Sequence, residues 1–221
     1  MEREEYLRRW SALHGGASTG GLVGFWLSLT HALARPLARA GAGPNAVTVL
    51  GLLVALAALP PAAAEGRWPV LAFAFVVLSG LFDNLDGAVA VLTGRATRWG
   101  AVLDSVCDRV ADAGYVLALW LVGAPGWLAV AAGGLAGLQE YLRARAGASG
   151  MSEVGVVTVS ERPTRVIVTA MFLLAAGIYP GAADTWAAAG TAVWVALSLV
   201  GLGQLTREVR HRLTGQPGGS T

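Results

Sequence analysis

The chain has 221 residues, of which 55% are hydrophobic and only 14% are charged, and its formal net charge is +2. Soluble domains carry about 25% charged residues, so the composition excludes an ordinary soluble protein and indicates one polytopic membrane domain. The single cysteine, Cys107, excludes an internal disulfide framework. Nothing in the sequence indicates a nucleic-acid partner.

The N-terminal region divides into two segments before the first long apolar run. Residues 1–21 are polar, and we expect a mobile segment. Residues 22–40 predict an amphipathic helix lying on the cytoplasmic leaflet, because arginines border its apolar stripe. The stripe consists of Phe25, Trp26, Leu29, Leu33 and Leu37.

Six apolar runs predict an all-α integral membrane protein with six transmembrane helices. Proline and glycine pairs separate the runs, as expected where helices end. The expected spans are 45–64, 69–92, 100–122, 126–146, 163–181 and 185–206. They form one membrane domain over 41–212, followed by a mobile tail over 213–221.

The distribution of arginine predicts the orientation of these spans. The chain has no lysine; six of its sixteen basic residues fall in the even-numbered connections and eight in the terminal segments. The opposite side has only Arg67. By the positive-inside rule, both termini and the even-numbered connections face the cytoplasm, which predicts a multi-pass protein of the plasma membrane.

Five of the six aspartates fall within thirty residues, in the second and third predicted spans. Asp83 and Asp86 are three residues apart, and Asp104 and Asp108 are four apart, so each pair lies on one helix face. A hairpin around residues 94–100 would bring the four carboxylates together. Hard oxygen ligands of this kind suit Mg²⁺ or Mn²⁺, and we expect two ions that bind a pyrophosphate. The alternative, a set of solvated loop carboxylates, conflicts with the apolar flanking sequence.

This pattern resembles the signature of the CDP-alcohol phosphotransferase family, D-x2-D-G-x2-A-R-x8-G-x3-D-x3-D. Every spacing is kept, and the matching residues are Asp83, Asp86, Gly87, Ala90, Gly100, Asp104 and Asp108. One position departs from the pattern, because Val91 stands where the family has arginine. We expect Arg95, four residues along the same helix, to replace it.

The resemblance implies an enzyme that transfers a phosphatidyl group from CDP-diacylglycerol, or a related CDP-alcohol, to an alcohol and releases CMP in phospholipid biosynthesis. It implies Asp108 as the base that accepts the proton of the acceptor, and a homodimeric assembly. The expected CDP-alcohol site consists of Asn45, Gly87, Arg95, Thr97 and Gly100. For the two glycines, close helix packing is the alternative interpretation, and for Asn45 it is a helix N-cap.

The acceptor half resembles actinobacterial phosphatidylinositol-phosphate synthases within that family, in the stretches Y-L-R-A-R-A and E-R-P-T-R. The resemblance implies that Arg143, Arg162 and Arg165 bind the phosphate of a phosphorylated polyol such as inositol phosphate. Positive-inside topology alone would also place arginines there. Glu140 would repel an anion, so glycerol phosphate, serine and phosphatidylglycerol stay open as acceptors.

Two non-enzymatic functions are the alternatives. A cation transporter would use the same carboxylates, but transporters commonly have broken helices and repeated halves, which this sequence lacks. A catalytically silent membrane scaffold is favoured only by Val91. Metal-dependent release of CMP from CDP-diacylglycerol would separate these possibilities.

Overall fold

The computed structural model of the chain describes residues 2–13, 20–151 and 157–215, and within them the secondary structure is helical without any strand. The prediction of an all-α protein is therefore confirmed. In chain order the helices are α1 (Arg3–Leu13), α2 (Gly21–Arg39), α3 (Pro44–Leu56), α4 (Leu59–Ala62), α5 (Pro69–Thr93), α6 (Arg98–Val122), α7 (Gly126–Ala148), α8 (Arg162–Ile178) and α9 (Ala183–Gly215).

The helix boundaries follow the proline and glycine positions of the sequence. Helices α3 and α5 begin at Pro44 and Pro69. Proline has no backbone N–H, but at the first position of a helix that N–H would have no intrahelical acceptor, so proline is tolerated there. The first apolar run is interrupted after Leu56, and the short helix α4 contains Pro60 and Pro61. A single-turn 3₁₀ helix, Pro180–Ala182, precedes α9.

Among the described residues, three helical segments are long and apolar enough to cross a membrane: Pro44–Ala62, Pro69–Thr93 and Pro180–Thr214. They support a membrane protein. Helices α6 and α7 carry the charged residues discussed below, and α8 has only 17 residues. The count of six spans and the orientation of the termini stay predictions.

The chain divides into two compact units, and α5 and α6 contribute to both. The first unit comprises Met1–Leu56 and Val77–Ala111. Its apolar core joins the first three helices to the second half of α5. The buried members are Tyr6, Leu7, Leu27, Ala34, Val47, Leu85, Ala88 and Val89.

The N-terminal segment differs from the expected mobile chain, because it contains α1. Tyr6 and Leu7 are buried in the core of the first unit, and the Tyr6 ring lies 5.0 Å from that of His31 on α2. Burial raises the pKa of Tyr6 to about 12. Helix α1 therefore packs against α2 through its apolar residues. This tertiary contact is not evident from the polar composition of the segment. Residues 14–19 lie outside the described part of the chain.

Helix α2 covers almost the same residues as the predicted amphipathic helix. Its buried residues Leu27 and Ala34 belong to the core, whereas Phe25 is 66% exposed and Leu29 and Leu33 are each 39% exposed. Three residues of the predicted apolar stripe, Phe25, Leu29 and Leu33, thus lie on a face that the described part of the protein does not cover, whereas Leu37 packs against the core. Its placement at the membrane interface stays a prediction.

The second unit comprises Ala57–Val76 and Asp112–Thr221. Small residues allow close helix contacts within it: a Cβ added to Gly190 of α9 would lie 2.6 Å from Phe172 of α8. Trp194, Tyr115 and Leu173 are fully or almost fully buried. Helix α9 continues to Gly215, beyond the expected end of its span at residue 206, and the rest of the expected tail, 216–221, lies outside the described residues.

Candidate active site

Three of the four predicted metal ligands come together in the first unit. Carboxylate oxygens of Asp83, Asp104 and Asp108 lie within 4.8 Å of one another, and all three residues are half-buried. Asp83 is on α5, and the other two are one turn apart on α6. The turn between these helices contains Gly94, whose φ of +67° is readily adopted only by glycine. It reverses the chain so that the two acidic helix faces meet, as the spacing predicts.

The fourth predicted ligand, Asp86, is not part of this group of three. It is buried, and its Oδ2 accepts a hydrogen bond from Thr48 Oγ1 at 2.6 Å. Thr48 also donates to the backbone carbonyl of Pro44, at 3.1 Å. Helix α3 thereby orients the Asp86 side chain, and its metal-binding role stays a prediction.

A cavity of about 190 Å³ lies beside these carboxylates and is formed by α3, α5, α6 and the turn between the last two. All five residues of the predicted CDP-alcohol site line it, together with two of the aspartates. The lining residues are Pro44, Asn45, Thr48, Asp86, Gly87, Ala90, Arg95, Ala96, Thr97, Gly100, Ala101 and Asp104. The structure therefore brings together the residues that the sequence predicts for this half of the site.

The two glycines of the cavity have different surroundings. A Cβ added to Gly87 would meet no atom within 4 Å, so among the described residues no packing contact requires glycine there. A Cβ on Gly100 would lie 3.1 Å from Asn45 Oδ1 and 3.1 Å from Thr97 Oγ1. Gly87 thus keeps the cavity open, whereas Gly100 leaves room for two polar side chains that line it.

Arg95 lines the cavity, but the helix geometry expected for it is wrong. Helix α5 ends at Thr93, and Gly94 turns the chain, so Arg95 is not one helical turn beyond Val91 on the same face. Its backbone N–H donates to the Ala90 carbonyl at 3.1 Å as part of the turn. Val91 itself is half-buried and packs against the apolar core of the first unit.

The carboxylate group fits a divalent cation by its donor chemistry and spacing. Two oxygens on opposite sides of one such ion lie about 4–5 Å apart, which matches the separation among Asp83, Asp104 and Asp108. Carboxylate oxygens are the hard ligands that Mg²⁺ and Mn²⁺ prefer. Arg109, whose Nη2 lies 3.9 Å from Asp108 Oδ2, adds one positive charge near the group.

In the second unit, two of the predicted acceptor arginines make ion pairs. Arg165 is buried, and its Nη1 donates to Asp112 Oδ2 at 2.7 Å. Arg143 Nη2 donates to Glu161 Oε1 at 2.8 Å. Glu140 lies close to both guanidinium groups, at 3.4 Å from Arg165 and 3.7 Å from Arg143. The third residue, Arg162, is half-buried at the first position of α8.

The comparison with protein-family models decides the family. The model described as CDP-alcohol phosphatidyltransferase matches residues 42–201, which is well over half of the chain. The chain belongs to this family. The matched region includes the signature over residues 83–108. The predicted enzyme class is thereby confirmed.

Curated relatives of the family are similar over most of their length. A phosphatidylinositol phosphate synthase of Mycobacteroides abscessus is 37% identical over 193 residues, which cover 82% of this chain and 84% of the relative. An archaetidylinositol phosphate synthase of Aeropyrum pernix is 35% identical and is matched over 72% of this chain and 81% of its own length.

Solved structures of the family have the same fold. The phosphatidylinositol phosphate synthase of Mycobacterium tuberculosis with CDP-DAG bound is 28% identical, with a TM-score of 0.63 over 80% of this chain and 92% of that protein. The same enzyme in complex with manganese and citrate is 30% identical, with a TM-score of 0.64 over 82% and 88% of the two chains.

Sequence reasoning missed the partners of the predicted residues. Thr48 bonds to Asp86 across 38 positions, and Asp112 pairs with Arg165 across 53. Asp112 had one visible signal, because it follows Asp108 by one helical turn in a run of apolar residues. Glu161 is the first residue of the E-R-P-T-R stretch, and its Oε1 accepts hydrogen bonds from Arg143 and from the Thr158 backbone N–H.

Proposed function

We propose that the protein transfers the phosphatidyl group of CDP-diacylglycerol to a hydroxyl of inositol phosphate, releasing CMP and forming phosphatidylinositol phosphate. The observation that carries this proposal is the convergence of three carboxylates beside a cavity lined by all five predicted nucleotide-binding residues. Related proteins named for the same product, one of them solved with CDP-DAG bound, support it.

The carboxylate group would hold the divalent metal of this reaction. Asp83, Asp104 and Asp108 would supply three ligands, and Asp86, oriented by Thr48, would supply a fourth, to what we expect to be two ions of Mg²⁺ or Mn²⁺. A manganese complex of a related enzyme supports metal binding. When bound, the metal neutralises charge on the pyrophosphate and on the leaving phosphate.

The side chains of the first unit bind and orient the CDP-alcohol. Asn45 and Thr97 present polar groups to the nucleotide, and the open space beside Gly87 admits it close to α5. Arg95 contributes a guanidinium group to its phosphates. Bound in this way, the phosphorus of the phosphatidyl group is held for attack by the acceptor hydroxyl.

Asp108 accepts the proton of the acceptor hydroxyl. As the new bond forms between the acceptor oxygen and the phosphatidyl phosphorus, the bond to the CMP oxygen breaks and CMP leaves as a phosphate monoester. A carboxylate beside cations is a weak base, so Asp108 acts by orienting the hydroxyl and taking its proton late in the step.

The acceptor proposal rests on what two different relatives share. One is named for a phosphatidyl product and the other for an archaetidyl product, but both names include inositol phosphate. The lipid part differs and the polar part is constant. Arg143, Arg162 and Arg165 are suited to a phosphate dianion, because guanidinium groups bind phosphate oxygens with two parallel hydrogen bonds.

The purified enzyme in detergent tests the function directly. CMP release from CDP-diacylglycerol is measured with Mg²⁺ or Mn²⁺ and with inositol phosphate, glycerol phosphate, serine, inositol or phosphatidylglycerol as the acceptor. We expect turnover with inositol phosphate that is lost on chelation and falls at least tenfold in Arg162→Ala. The exposed Arg212→Ala is the matched control. Turnover with only an unphosphorylated alcohol or a lipid acceptor contradicts the proposal.

We also propose that the protein is a homodimer in the plasma membrane, with six spans and with both termini and the active site on the cytoplasmic side. The three apolar helices support a membrane location. The distribution of arginine supports the orientation, and it would place the site where CDP-alcohols are made.

A further inference from the structure

Glu140 lies between the two ion pairs of the acceptor half. Its Oε1 is 3.4 Å from Arg165 Nη2, and its Oε2 is 3.7 Å from Arg143 Nε. One carboxylate thus bridges guanidinium groups that belong to two helices, α7 and α8. A phosphate group presents its oxygens to paired arginines in the same bridging manner.

The contacts of Glu140 with Arg143 and Arg165 are longer than those that the neighbouring carboxylates make with the same two arginines. Asp112 holds Arg165 at 2.7 Å, and Glu161 holds Arg143 at 2.8 Å, both within the range of charge-assisted hydrogen bonds. The distances from Glu140 are longer by 0.7 Å at Arg165 and by 0.9 Å at Arg143, and they exceed that range. Asp112 and Glu161 therefore fix the two arginines in place, whereas Glu140 rests against guanidinium groups that other residues already position.

Exposure distinguishes Glu140 from Asp112, since their side chains are 28% and 5% exposed. Glu161 is as exposed as Glu140, at 29%, but its contact with Arg143 is shorter, at 2.8 Å. An arriving dianion that enters between Arg143 and Arg165 would be repelled by the Glu140 carboxylate as long as that carboxylate contacts both arginines. Arg165 also keeps a donor for a ligand, because its buried Nε has no hydrogen-bond partner among the described residues.

We propose that Glu140 is a specificity-determining residue: its carboxylate occupies the place of the acceptor phosphate between Arg143 and Arg165, and the phosphate displaces it on binding. This inference rests on the proposed function. Displacement leaves the two tight ion pairs intact and gives the phosphate both bridging contacts. An acceptor without a phosphate lacks the charge to displace the carboxylate, so Glu140 selects for a phosphorylated acceptor at the expense of affinity.

The test compares wild type with Glu140→Gln, which keeps the size of the side chain and removes its charge. We expect the KM for inositol phosphate to fall about two- to fivefold, the change that corresponds to a loose ion pair. The kcat and the KM for CDP-diacylglycerol should stay within twofold of wild type. Inositol phosphate binding without CDP-diacylglycerol, followed calorimetrically, should tighten by the same factor.

A control and a second variant make the result decisive. Glu208→Gln removes a partly exposed carboxylate that pairs with Arg212 on α9, and it should change neither KM. Glu140→Ser is a smaller replacement that should also lower the KM for inositol phosphate.

Failure of the inference and failure of the proposed function are distinguishable. If wild type turns over inositol phosphate but neither Glu140 variant lowers its KM, the inference is overturned and the function stands. Loss of folded protein in both variants also overturns the inference, because Glu140 would then be a structural tie. If wild type shows no turnover with inositol phosphate, the proposed function fails.

Discussion

Asp104 belongs both to the carboxylate group and to the wall of the cavity, so its removal tests the site at a single residue. We expect Asp104→Asn to lower the rate of CMP release at least about 100-fold, because one ligand of the charge-neutralising metal is lost. Asp83→Asn should have a similar effect. The measurement is CMP release by each purified variant at saturating Mg²⁺.

Asp184→Asn supplies the matched control for these variants. Asp184 is an exposed aspartate at the start of α9 that accepts a hydrogen bond from the Thr185 backbone N–H, and its replacement should leave turnover unchanged. Activity above a tenth of wild type in either Asp104→Asn or Asp83→Asn would contradict the metal assignment, provided that the variant elutes as folded protein.

Arg95 is the exposed cation of the cavity wall, and it provides the second residue-scale prediction. We expect Arg95→Ala to weaken CDP-diacylglycerol binding about tenfold, which corresponds to one charged hydrogen bond to phosphate. Arg67→Ala, in the connection between α4 and α5, is the control. Both variants are titrated with CDP-diacylglycerol. If their apparent affinities are equal, Arg95 does not replace the arginine that is absent at Val91.

The sequence predicted those site residues whose position depends only on their spacing along a helix. The signature positions and the regular period of a helix are enough to place Asp83, Asp104 and Asp108 on facing surfaces. Which residues Thr48, Asp112 and Glu161 contact could not be predicted, because these contacts depend on how distant segments pack. Glu140 was recognised as a repulsive charge, but its bridging position requires the coordinates of both arginines.

At the scale of helices, two glycines of the first unit should respond oppositely to the same substitution. A Cβ on Gly51 of α3 would lie 2.9 Å from the Cβ of Phe82 on α5, so Gly51→Ala should destabilise the protein by about 1–3 kcal/mol through overpacking. Gly87→Ala meets open space and gains helix propensity, so its stability should be maintained or raised. We expect instead a loss of CDP-diacylglycerol affinity.

Thermal unfolding in detergent and a binding titration check this pair of variants together. The expected pattern is a lowered Tm with Gly51→Ala and a weakened Kd with Gly87→Ala. A lowered Tm in Gly87→Ala would instead favour the helix-packing interpretation of that glycine, and an unchanged Kd would remove it from the CDP-alcohol site.

Helix boundaries were predictable to the extent that apolar runs and proline define them. Helices α5, α6 and α7 begin and end within about two residues of the expected spans. Helix α1 was missed because its acidic and basic residues resemble a solvated segment, and only its contact with α2 reveals the buried face. The expected position of Arg95, on the same helix face as Val91, is wrong because Gly94 adopts a left-handed conformation and ends α5, which the 3.6-residue period alone does not reveal.

For the whole molecule, the arginine distribution predicts a testable orientation. In a Cys107→Ser background, Glu65→Cys between α4 and α5 should react with a membrane-impermeant thiol reagent in intact cells. Thr214→Cys near the end of α9 should react only after the membrane is permeabilised. Both positions are exposed, so accessibility within the protein does not limit the comparison.

Labelling of Thr214→Cys in intact cells would contradict the predicted orientation, because it would place the C-terminal end of α9 outside the cell. Labelling of both variants in intact cells would contradict the odd number of spans, five, that is expected between the two positions. Each outcome is compared with total labelling in detergent, which corrects for differences in expression between the two variants.

The ion pair of Asp112 with Arg165 has a consequence for how the sequence can change over generations. Both side chains are almost fully buried, at 5% and 2% exposure, so losing either one alone strands a charge and costs about 3–5 kcal/mol. A lineage therefore has no easy single-step path away from this pair. Positions 112 and 165 should covary among homologues: acid and arginine kept together, or both replaced. In a homologue that uses an acceptor without a phosphate, we expect both residues, at positions 112 and 165, to be replaced.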